Sequence, residues 1–347
     1  MDTQFTPKSA RLMDLGFGIL RCSTDYIPVV EVKETLRFHH YAYSTEKTYI
    51  HWILRYIRFN NRSHPKDMGK HEIKRFLSHL AINRDVSAST QNQALNAILF
   101  LYKHVLKLPV DMNIRAIRSD KQKRLPTVLS KQEIQEIFIH LSGVKLLMVK
   151  LMYAAGLRVT ELHDLRVQNF DFDNNQLYIR DSKGGKDRIS LLPKTLHEGL
   201  KRQIESVKSL HQQDLNAGYG EVSLPNALAR KYPNAGKTLG WQFIFPSTKL
   251  SADPRNGLIQ RYHIHISVIR KAIKVAVTKT NINKRVTTHV FRHSFATHLL
   301  EDGINIRMVQ TLLGHKDVKT TEIYTHVMDK SISGVMSPLE MLEKNIG

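Results

Sequence analysis

A basic, polar segment divides this chain into two parts with different hydrophobic patterns. The residues from Arg115 to Arg124 are rich in Lys and Arg, and Leu125-Pro126 follows at once. Proline disfavours helical conformation in the residue before it, so a helix is not expected to run through this point. A chain of 347 residues has room for two domains. We therefore predict two domains, joined by a linker at 119–127.

The residues before the linker have the periodicity of helices. Tyr49, Trp52, Ile53, Tyr56 and Ile57 are spaced for one face of a helix over 44–60, with Ser44 as its N-cap. Similar patterns predict helices over 70–83 and from Ser87 or Ser89 to about 106. Residues 31–118 are therefore expected to form a helical bundle.

The residues after the linker combine helices with a small sheet. Ser130 and Glu133 have capping-box spacing, and an apolar helix over 145–155 is expected to end at Gly156. Three short strands over 167–192, with turns at 173–175 and 183–186, predict an antiparallel sheet. The fold class is thus mainly α with a small antiparallel sheet (α+β), and 128–330 form the second domain.

The two ends of the chain carry weaker patterns. Residues 1–30 are assigned to an N-terminal extension, either disordered or an upstream addition. The apolar run Leu15–Leu20 is too short to span a membrane. The one cysteine, Cys22, allows neither an internal disulfide nor a cysteine metal site, which suits a reducing cytoplasm. Residues 331–347 form an apolar tail containing Val335, Met336, Leu339, Met341 and Leu342.

The net charge of +21 indicates a polyanionic partner. The Lys and Arg residues are spread over several predicted helices and loops, which disfavours a membrane surface as that partner. The basic linker is either simply solvated or a strap along a nucleic-acid backbone. Because RNA-binding and ribosomal proteins are similarly charged, the charge alone does not identify DNA.

Six polar residues in the second domain have the chemistry needed to transfer a phosphodiester. They are Arg158, Lys183, His289, Arg292, His315 and Tyr324. Two arginines can neutralise a phosphate, histidine and lysine can move protons, and tyrosine can attack phosphorus. Taken singly, each has an ordinary structural explanation, such as a packed aromatic ring for Tyr324 or a helix C-cap for Arg158. The combination in this order is what indicates catalysis.

A metal site is the alternative for the histidines. His289 and His293 are four residues apart and so could share a metal ion on one helical face. No acidic third ligand lies within that turn, and the His-Glu-x-x-His signature is absent. We therefore expect no metal and no other cofactor.

These residues resemble the active site of the tyrosine recombinases, the integrases of the lambda and Xer type. The family pattern Arg, Lys, His-x-x-Arg, His or Trp, Tyr matches the six residues above, and Glu161 supplies the Arg-x-x-Glu form around Arg158. Phe291 stands where the family usually has Leu. The resemblance implies a SAM-like core-binding domain, a catalytic domain and a 3′-phosphotyrosine intermediate. It also implies that Tyr324 is the nucleophile, that His289 accepts its proton, and that Glu161 braces the arginines.

The chain is similar, more closely, to the integron integrases. Residues at about 213–277 resemble the insertion by which those enzymes recognise folded single-stranded sites. This likeness assigns DNA contacts to Trp241, Pro254, Tyr262 and His263, although Trp241 could equally be core. We also expect Lys186 and Arg188 to contact DNA. The tail resembles one that docks on a neighbouring subunit, which implies a homotetramer on DNA and a monomer when free.

The expected function is therefore integron-type, site-specific recombination of gene cassettes at duplex and hairpin DNA. One alternative is an Xer-like or phage-type recombinase of duplex DNA. A second is a type IB topoisomerase-like enzyme that nicks and rejoins one duplex. A DNA-binding protein without activity and a metal-dependent nuclease are the alternatives of other classes.

Overall fold

The computed structural model describes residues 29–108, 125–182, 186–225 and 228–324. The chain divides into two compact units between Lys123 and Arg124. Several predicted features lie outside the described residues: most of the N-terminal extension, most of the linker, Lys183 and the tail at 331–347. Among the described residues, no helix has both the length and the apolar character needed to cross a bilayer.

The first unit is a helical bundle, as predicted. Its helices are α1 (Val29–Phe38), α2 (Tyr43–Phe59), α3 (Lys70–Ile82) and α4 (Ala88–Phe100), and a π-helical turn follows at Leu101–Val105. Ser87 caps α4 by accepting a hydrogen bond from the Thr90 amide. The prediction of Ser44 as the cap of α2 is wrong, because the cap position is Ala42 and Ser44 already lies in the first turn. Two buried tyrosines, Tyr56 and Tyr102, join their hydroxyls across the core at 3.1 Å.

The second unit contains the remaining helices and the sheet. In chain order the helices are α5 (Lys131–Ile139), α6 (Gly143–Ala155), α7 (Val159–Asp164), α8 (His197–Asn216), α9 (Leu228–Lys231), α10 (Ile266–Val277), α11 (Thr288–Glu301), α12 (Ile306–Leu313) and α13 (Lys319–Glu322). The capping box predicted at the start of α5 is present, since Ser130 and Glu133 bond each other's amides.

The predicted three-stranded antiparallel sheet is confirmed. It consists of β1 (Phe170–Asp171), β2 (Gln176–Ser182) and β3 (Lys186–Leu191), in that order. Leu177 pairs with Ser190 across β2 and β3, and the register shifts between Ile179 and Ser182. A second, two-stranded pair joins β4 (Ser251–Ala252) and β5 (Ile259–Gln260). The expected fold class, mainly α with a small antiparallel sheet, is therefore confirmed.

Helix α11 lies at the centre of the second unit. Most of its residues are buried, and it packs against α6 and α12. Both of those helices end in a left-handed glycine, Gly156 at φ 58° and Gly314 at φ 63°. Glycine tolerates this conformation without the strain that a Cβ would introduce. The two chain reversals bring the last carbonyls of α6 and α12 to the same side of α11.

Candidate active site

One buried carboxylate, Glu161, organises the cations of the site. Its Oε1 accepts from Arg158 Nη1 at 2.6 Å, and its Oε2 accepts from the Arg158 amide at 2.8 Å. Arg188 donates to both oxygens, each at 2.7 Å, and Arg292 Nη1 lies 3.7 Å from Oε2. Burial acts to raise the pKa of Glu161, but the hydrogen bonds and charge of Arg188 outweigh it and lower the pKa to about 2. The carboxyl is therefore ionised at neutral pH.

Arg292 is held by the ends of two helices. Its side chain is 4% exposed, and its guanidinium donates to the carbonyls of Gly156 and Leu313, both at 2.6 Å. Phe291, Phe295 and Leu299 are spaced by four and define one apolar face of α11, so the sequence predicts Arg292 on a different face. The structure shows instead that this face is also buried, against α6 and α12. Arg292, and not Arg158, thus covers the carbonyl end of α6.

The three guanidiniums leave the site with an excess of positive charge. Burial and then the charge of Arg158 lower the pKa of Arg292, which shows that the cations repel one another. Arg158 is the most exposed of the three, with 19% of its side chain accessible against 4% for Arg188 and Arg292. An anion bound beside Arg158 would relieve this repulsion. The arrangement is therefore suited to binding a phosphate.

His315 is fixed by one bond on each ring nitrogen. Its Nε2 lies 3.2 Å from Arg292 Nη2, and its Nδ1 lies 2.9 Å from the Thr321 hydroxyl. Because arginine can only donate, Nε2 accepts and the ring proton sits on Nδ1. Burial and the charges of the three arginines lower the pKa of His315 to about 4. His315 is thus neutral at pH 7, and donation from Nε2 to a phosphate requires a proton to move there.

The Tyr324 ring is buried in a small apolar cluster, with 2% of the residue exposed. Phe295, Leu300 and Leu313 belong to the same cluster. The hydroxyl lies 2.9 Å from Nδ1 of His293, on α11. Burial raises the pKa of Tyr324, while the charges of Arg292 and Arg158 act to lower it. The phenol is thus protonated at neutral pH and is oriented by a histidine that the sequence pattern had suggested only as a metal ligand.

Among the described residues, His289, the predicted proton acceptor, makes no hydrogen bond with Tyr324. His289 is exposed at the start of α11, and its ring centroid lies 6.4 Å from that of His293. Burial and the nearby charges of Arg292 and Arg158 lower the pKa of His289. Lys183 lies outside the described residues.

The structure corrects the expectation that Arg188 contacts DNA. Arg188 is 8% exposed. Its two Nη groups donate to Glu161, and its Nε donates to the Leu312 carbonyl at 2.9 Å. A Cβ on Gly314 would lie 2.8 Å from Arg188 Cδ, so the end of α12 packs directly on this side chain. Arg188 therefore links the sheet to Glu161 and α12. Lys186 begins β3, and no side-chain position is described for it.

Most of the other predicted DNA-contacting residues lie around a half-buried arginine, Arg166. Arg166 lies 5.3 Å from the Trp241 ring and 4.4 Å from the Phe243 ring. Tyr262 packs on His263 at 4.0 Å and on Phe243 at 5.2 Å between ring centroids. Tyr262 is 41% exposed, Trp241 and His263 are half-buried, and Pro254 is exposed. Trp241 is thus part core and part surface, between the two alternatives considered for it.

The described residues contain no cluster of three or more His, Cys, Asp or Glu side chains suited to a metal ion. His293 bonds Tyr324, and His298 Nδ1 lies 2.8 Å from the Tyr153 hydroxyl. Two of the three histidines of α11, His293 and His298, therefore have tyrosines as partners. The site offers cations, neutral imidazoles and a phenol, which can bind a phosphate, move a proton and attack.

Two family models match the chain. The phage integrase family covers residues 127–331, and the N-terminal SAM-like domain of phage integrases covers residues 30–112. An integrase/recombinase of Escherichia coli is 42% identical over 312 residues, covering 90% of this chain and 93% of the relative. The tyrosine recombinase XerA of Thermococcus kodakarensis is 28% identical over 308 residues, covering 87% of this chain and 92% of the relative.

A solved structure with the same fold is a lambda integrase dimer bound to a COC′ core site. The TM-score is 0.56 at 17% identity, over 85% of this chain and 75% of that one. At this identity the similarity shows the fold alone.

Proposed function

This chain belongs to the phage integrase family, the tyrosine recombinases, and on that basis we propose that it is an integron-type recombinase acting through Tyr324. It would cut DNA at specific sites, hold the 3′ end as a phosphotyrosine and join that end to a second strand. The observation that carries the proposal is that a buried tyrosine lies close to guanidinium groups whose positive charge exceeds the charge of the one carboxylate they bind. Tyr324 lies within the electrostatic reach of both Arg158 and Arg292.

The arginines would bind the scissile phosphate. Arg158 is the more accessible, and its position is fixed by Glu161 through both its amide and its guanidinium. Arg292 would lie behind it, anchored on the ends of α6 and α12. Guanidiniums placed beforehand stabilise the charge that develops as phosphorus becomes five-coordinate. Glu161 itself bonds Arg158 and Arg188 and lies 3.7 Å from Arg292, so it serves as a brace for the arginines.

The cleavage step moves two protons, one from the Tyr324 hydroxyl and one to the leaving 5′ oxygen. The Tyr324 oxygen attacks phosphorus as its O–H bond breaks, and the P–O5′ bond breaks as the leaving oxygen takes up a proton. We assign that last proton to Lys183 at the turn between β2 and β3. His289 and His315 are assigned to the phosphate. Because His315 Nε2 now accepts from Arg292, binding of the phosphate would have to draw a proton to that nitrogen.

The reaction would need no nucleotide. The phosphotyrosine bond conserves the energy of the broken phosphodiester, so a 5′-hydroxyl from another strand can displace Tyr324 directly. The same residues act in reverse, with the phenol regaining its proton as it leaves. Neither a metal nor ATP appears in this balance, and we propose none.

The integron assignment is supported by the aromatic surface at Trp241, Tyr262 and His263. Exposed rings can stack on unpaired bases, each contributing about 1–3 kcal/mol. Tyr262 and Pro254 are both exposed in the predicted insertion, and Trp241 is half-buried. We propose that this surface receives bases turned out of a folded hairpin. The tail at 331–347 would dock on a neighbouring subunit and build a homotetramer from monomers.

Recombination between two short sites tests the function. The site would be a duplex that the protein itself selects from a randomised pool, offered with a circular and a linear partner. Strand exchange in excess chelator, lost in Tyr324→Phe while DNA binding persists, is expected. Relaxation of a supercoiled circle without exchange would instead favour a topoisomerase-like enzyme, and chelator-sensitive cleavage would indicate a nuclease.

A second arm decides the type of substrate. The bottom strand of the selected site, folded as a hairpin with unpaired bases, would compete with the matching perfect duplex. An integron-type enzyme recombines the hairpin better, and Trp241→Ala removes that preference. Equal or poorer use of the hairpin would leave an Xer-like or phage-type recombinase of duplex DNA.

A further inference from the structure

The hydrogen bond between His293 and Tyr324 gives the proposed nucleophile a specific proton acceptor. The Nδ1 of His293 lies 2.9 Å from the tyrosine hydroxyl, a normal distance for a direct hydrogen bond. The two ring centroids are 5.6 Å apart at an angle of 50°. A general base must be within this reach of the proton it removes, and geometry is the first criterion for choosing among candidates.

His289 does not meet this criterion. It is exposed at the start of α11, one helical turn before His293, and no hydrogen bond joins it to Tyr324 within the described residues. His315 also lies near the phenol, at 6.4 Å between ring centroids. Both of its ring nitrogens, however, are engaged by Arg292 and Thr321. His293 is therefore the histidine placed to act on the tyrosine oxygen.

We propose that His293 is a catalytic residue that accepts the proton of Tyr324 as the phenolic oxygen attacks the scissile phosphate. The inference rests on the proposed function of Tyr324. The O–H bond of Tyr324 breaks and an N–H bond forms at His293 Nδ1, while the O–P bond forms and the P–O5′ bond breaks. During religation the proton returns from His293 to the leaving tyrosine, so the residue is regenerated in each cycle.

The surroundings keep His293 ready for this role. Burial first, and then the charges of His289 and Arg292, lower its pKa to about 4. The titratable and charged groups around it are His289, Arg292, His315 and Tyr324, with Arg158 acting on the tyrosine. A neutral imidazole can accept at Nδ1, whereas an imidazolium cannot. The imidazolium formed during attack would be stabilised by the phosphate charge that enters the site.

The same helix supplies a matched control. His298 Nδ1 lies 2.8 Å from the hydroxyl of Tyr153, a contact of the same type as that between His293 and Tyr324. Both histidines lie on α11 in the same unit, and both tyrosines are packed. His298→Asn and His293→Asn therefore remove equivalent His–Tyr bonds, but only one of them touches the proposed nucleophile.

The test measures covalent capture of a nicked duplex whose scissile 5′-oxygen is replaced by sulfur. A thiolate leaves without a proton donor, because the pKa of a thiol is far below that of an alcohol. The rate then reports nucleophile activation and not the action of Lys183. We expect His293→Asn to slow capture about 100-fold at pH 7, within the range of general-base effects. Its rate should rise about tenfold for each pH unit towards the pKa of tyrosine.

The wild type and His298→Asn should change little over the same pH range. Added imidazole should restore part of the rate to His293→Ala, which a purely structural role would not allow. Two results would overturn the proposal. In the first, His293→Asn captures DNA at a rate within threefold of the wild type and with the same pH dependence. In the second, capture is slowed about as much as expected, but the rate does not rise with pH and imidazole does not restore it. Failure of the wild type to form any Tyr324 adduct would instead refute the proposed function, and this inference with it.

Discussion

Replacing Arg188 tests whether the buried ion pair with Glu161 holds the second unit together. Arg188→Met keeps an unbranched apolar stem but removes two hydrogen bonds of 2.7 Å to the carboxylate and one to the Leu312 carbonyl. Glu161 would then keep Arg158, bonded at 2.6 Å, and Arg292 at 3.7 Å. The carboxylate would remain buried after losing two of its four hydrogen bonds.

The magnitude follows from the pKa of Glu161. Its surroundings lower that pKa from 4.5 to about 2, which favours the ionised form by about 3 kcal/mol at neutral pH. The hydrogen bonds and charge of Arg188 are the largest stabilising causes. Breaking a buried pair by removing one partner typically costs about 3–5 kcal/mol. Because Arg158 remains, we expect a loss of about 3 kcal/mol in the free energy of unfolding.

The assay is urea unfolding followed by tryptophan fluorescence. The chain has two tryptophans, Trp52 in the first unit and Trp241 in the second, so a Trp52→Phe background reports the second unit alone. Arg202→Met, on an exposed part of α8, is the control and should change stability by less than about 0.5 kcal/mol. A loss in Arg188→Met no greater than that of Arg202→Met would show that the ion pair does not stabilise this unit.

Three further predictions follow from the same contacts. Gly156→Ala should lower the free energy of unfolding by at least about 2 kcal/mol in the same assay, because its φ is 58° and a Cβ would lie 2.4 Å from the Phe295 ring; a neutral result would contradict the described turn. Arg158→Ala should slow covalent capture about 10³–10⁵-fold, and Arg158→Lys less, with DNA binding retained; equal rates would remove Arg158 from the site. Stability should be constant above pH 6.5 and fall towards pH 4, since the pKa values of His293 and His315 are lowered to about 4 in the folded chain; a urea midpoint unchanged between pH 7 and pH 5 would contradict those values.

Periodicity and capping residues were sufficient to predict most of the elements. The helices over 70–82 and 143–155 agree with their predicted positions to within about two residues. β2 and β3 lie on either side of the second predicted turn, whereas 167–169, predicted to begin the sheet, form a 3-10 turn before β1. Local signals determine these features, such as the Ser87 cap and the left-handed Gly156. The predicted cap of α2 is wrong because the helix begins at Tyr43, so the cap position falls on Ala42, two residues before Ser44, without a side-chain hydrogen bond.

The burial of Arg292 and Arg188 could not be read from local patterns. Helix periodicity assigns one apolar face, whereas α11 is covered on nearly all sides by α6 and α12. Arg188 looks like an exposed cation in a strand, and its burial depends on a carboxylate 27 residues away. Arg188 and Ser190 are two residues apart in β3 and therefore lie on the same face of the sheet. Ser190 is buried, and its hydroxyl donates to the Ala155 carbonyl.

The role proposed for His293 was hidden for the same reason. Its contact with Tyr324 spans 31 residues and exists only because α12 and α13 return the chain over α11. In the sequence, His293 stood out through its four-residue spacing from His289, which suggested a shared metal ion. The family pattern names the histidine and arginine of His-x-x-Arg and does not include the residue that follows them.

The central claim is that Tyr324 forms a covalent bond with DNA, and peptide mapping tests it most directly. The wild-type protein would be trapped on a nicked duplex of its selected site in excess chelator, digested with protease and nuclease, and examined by mass spectrometry. A nucleotide attached to the peptide containing Tyr324, and absent from Tyr324→Phe, is predicted. A nucleotide on any other residue, or an adduct that persists in Tyr324→Phe, would contradict the account.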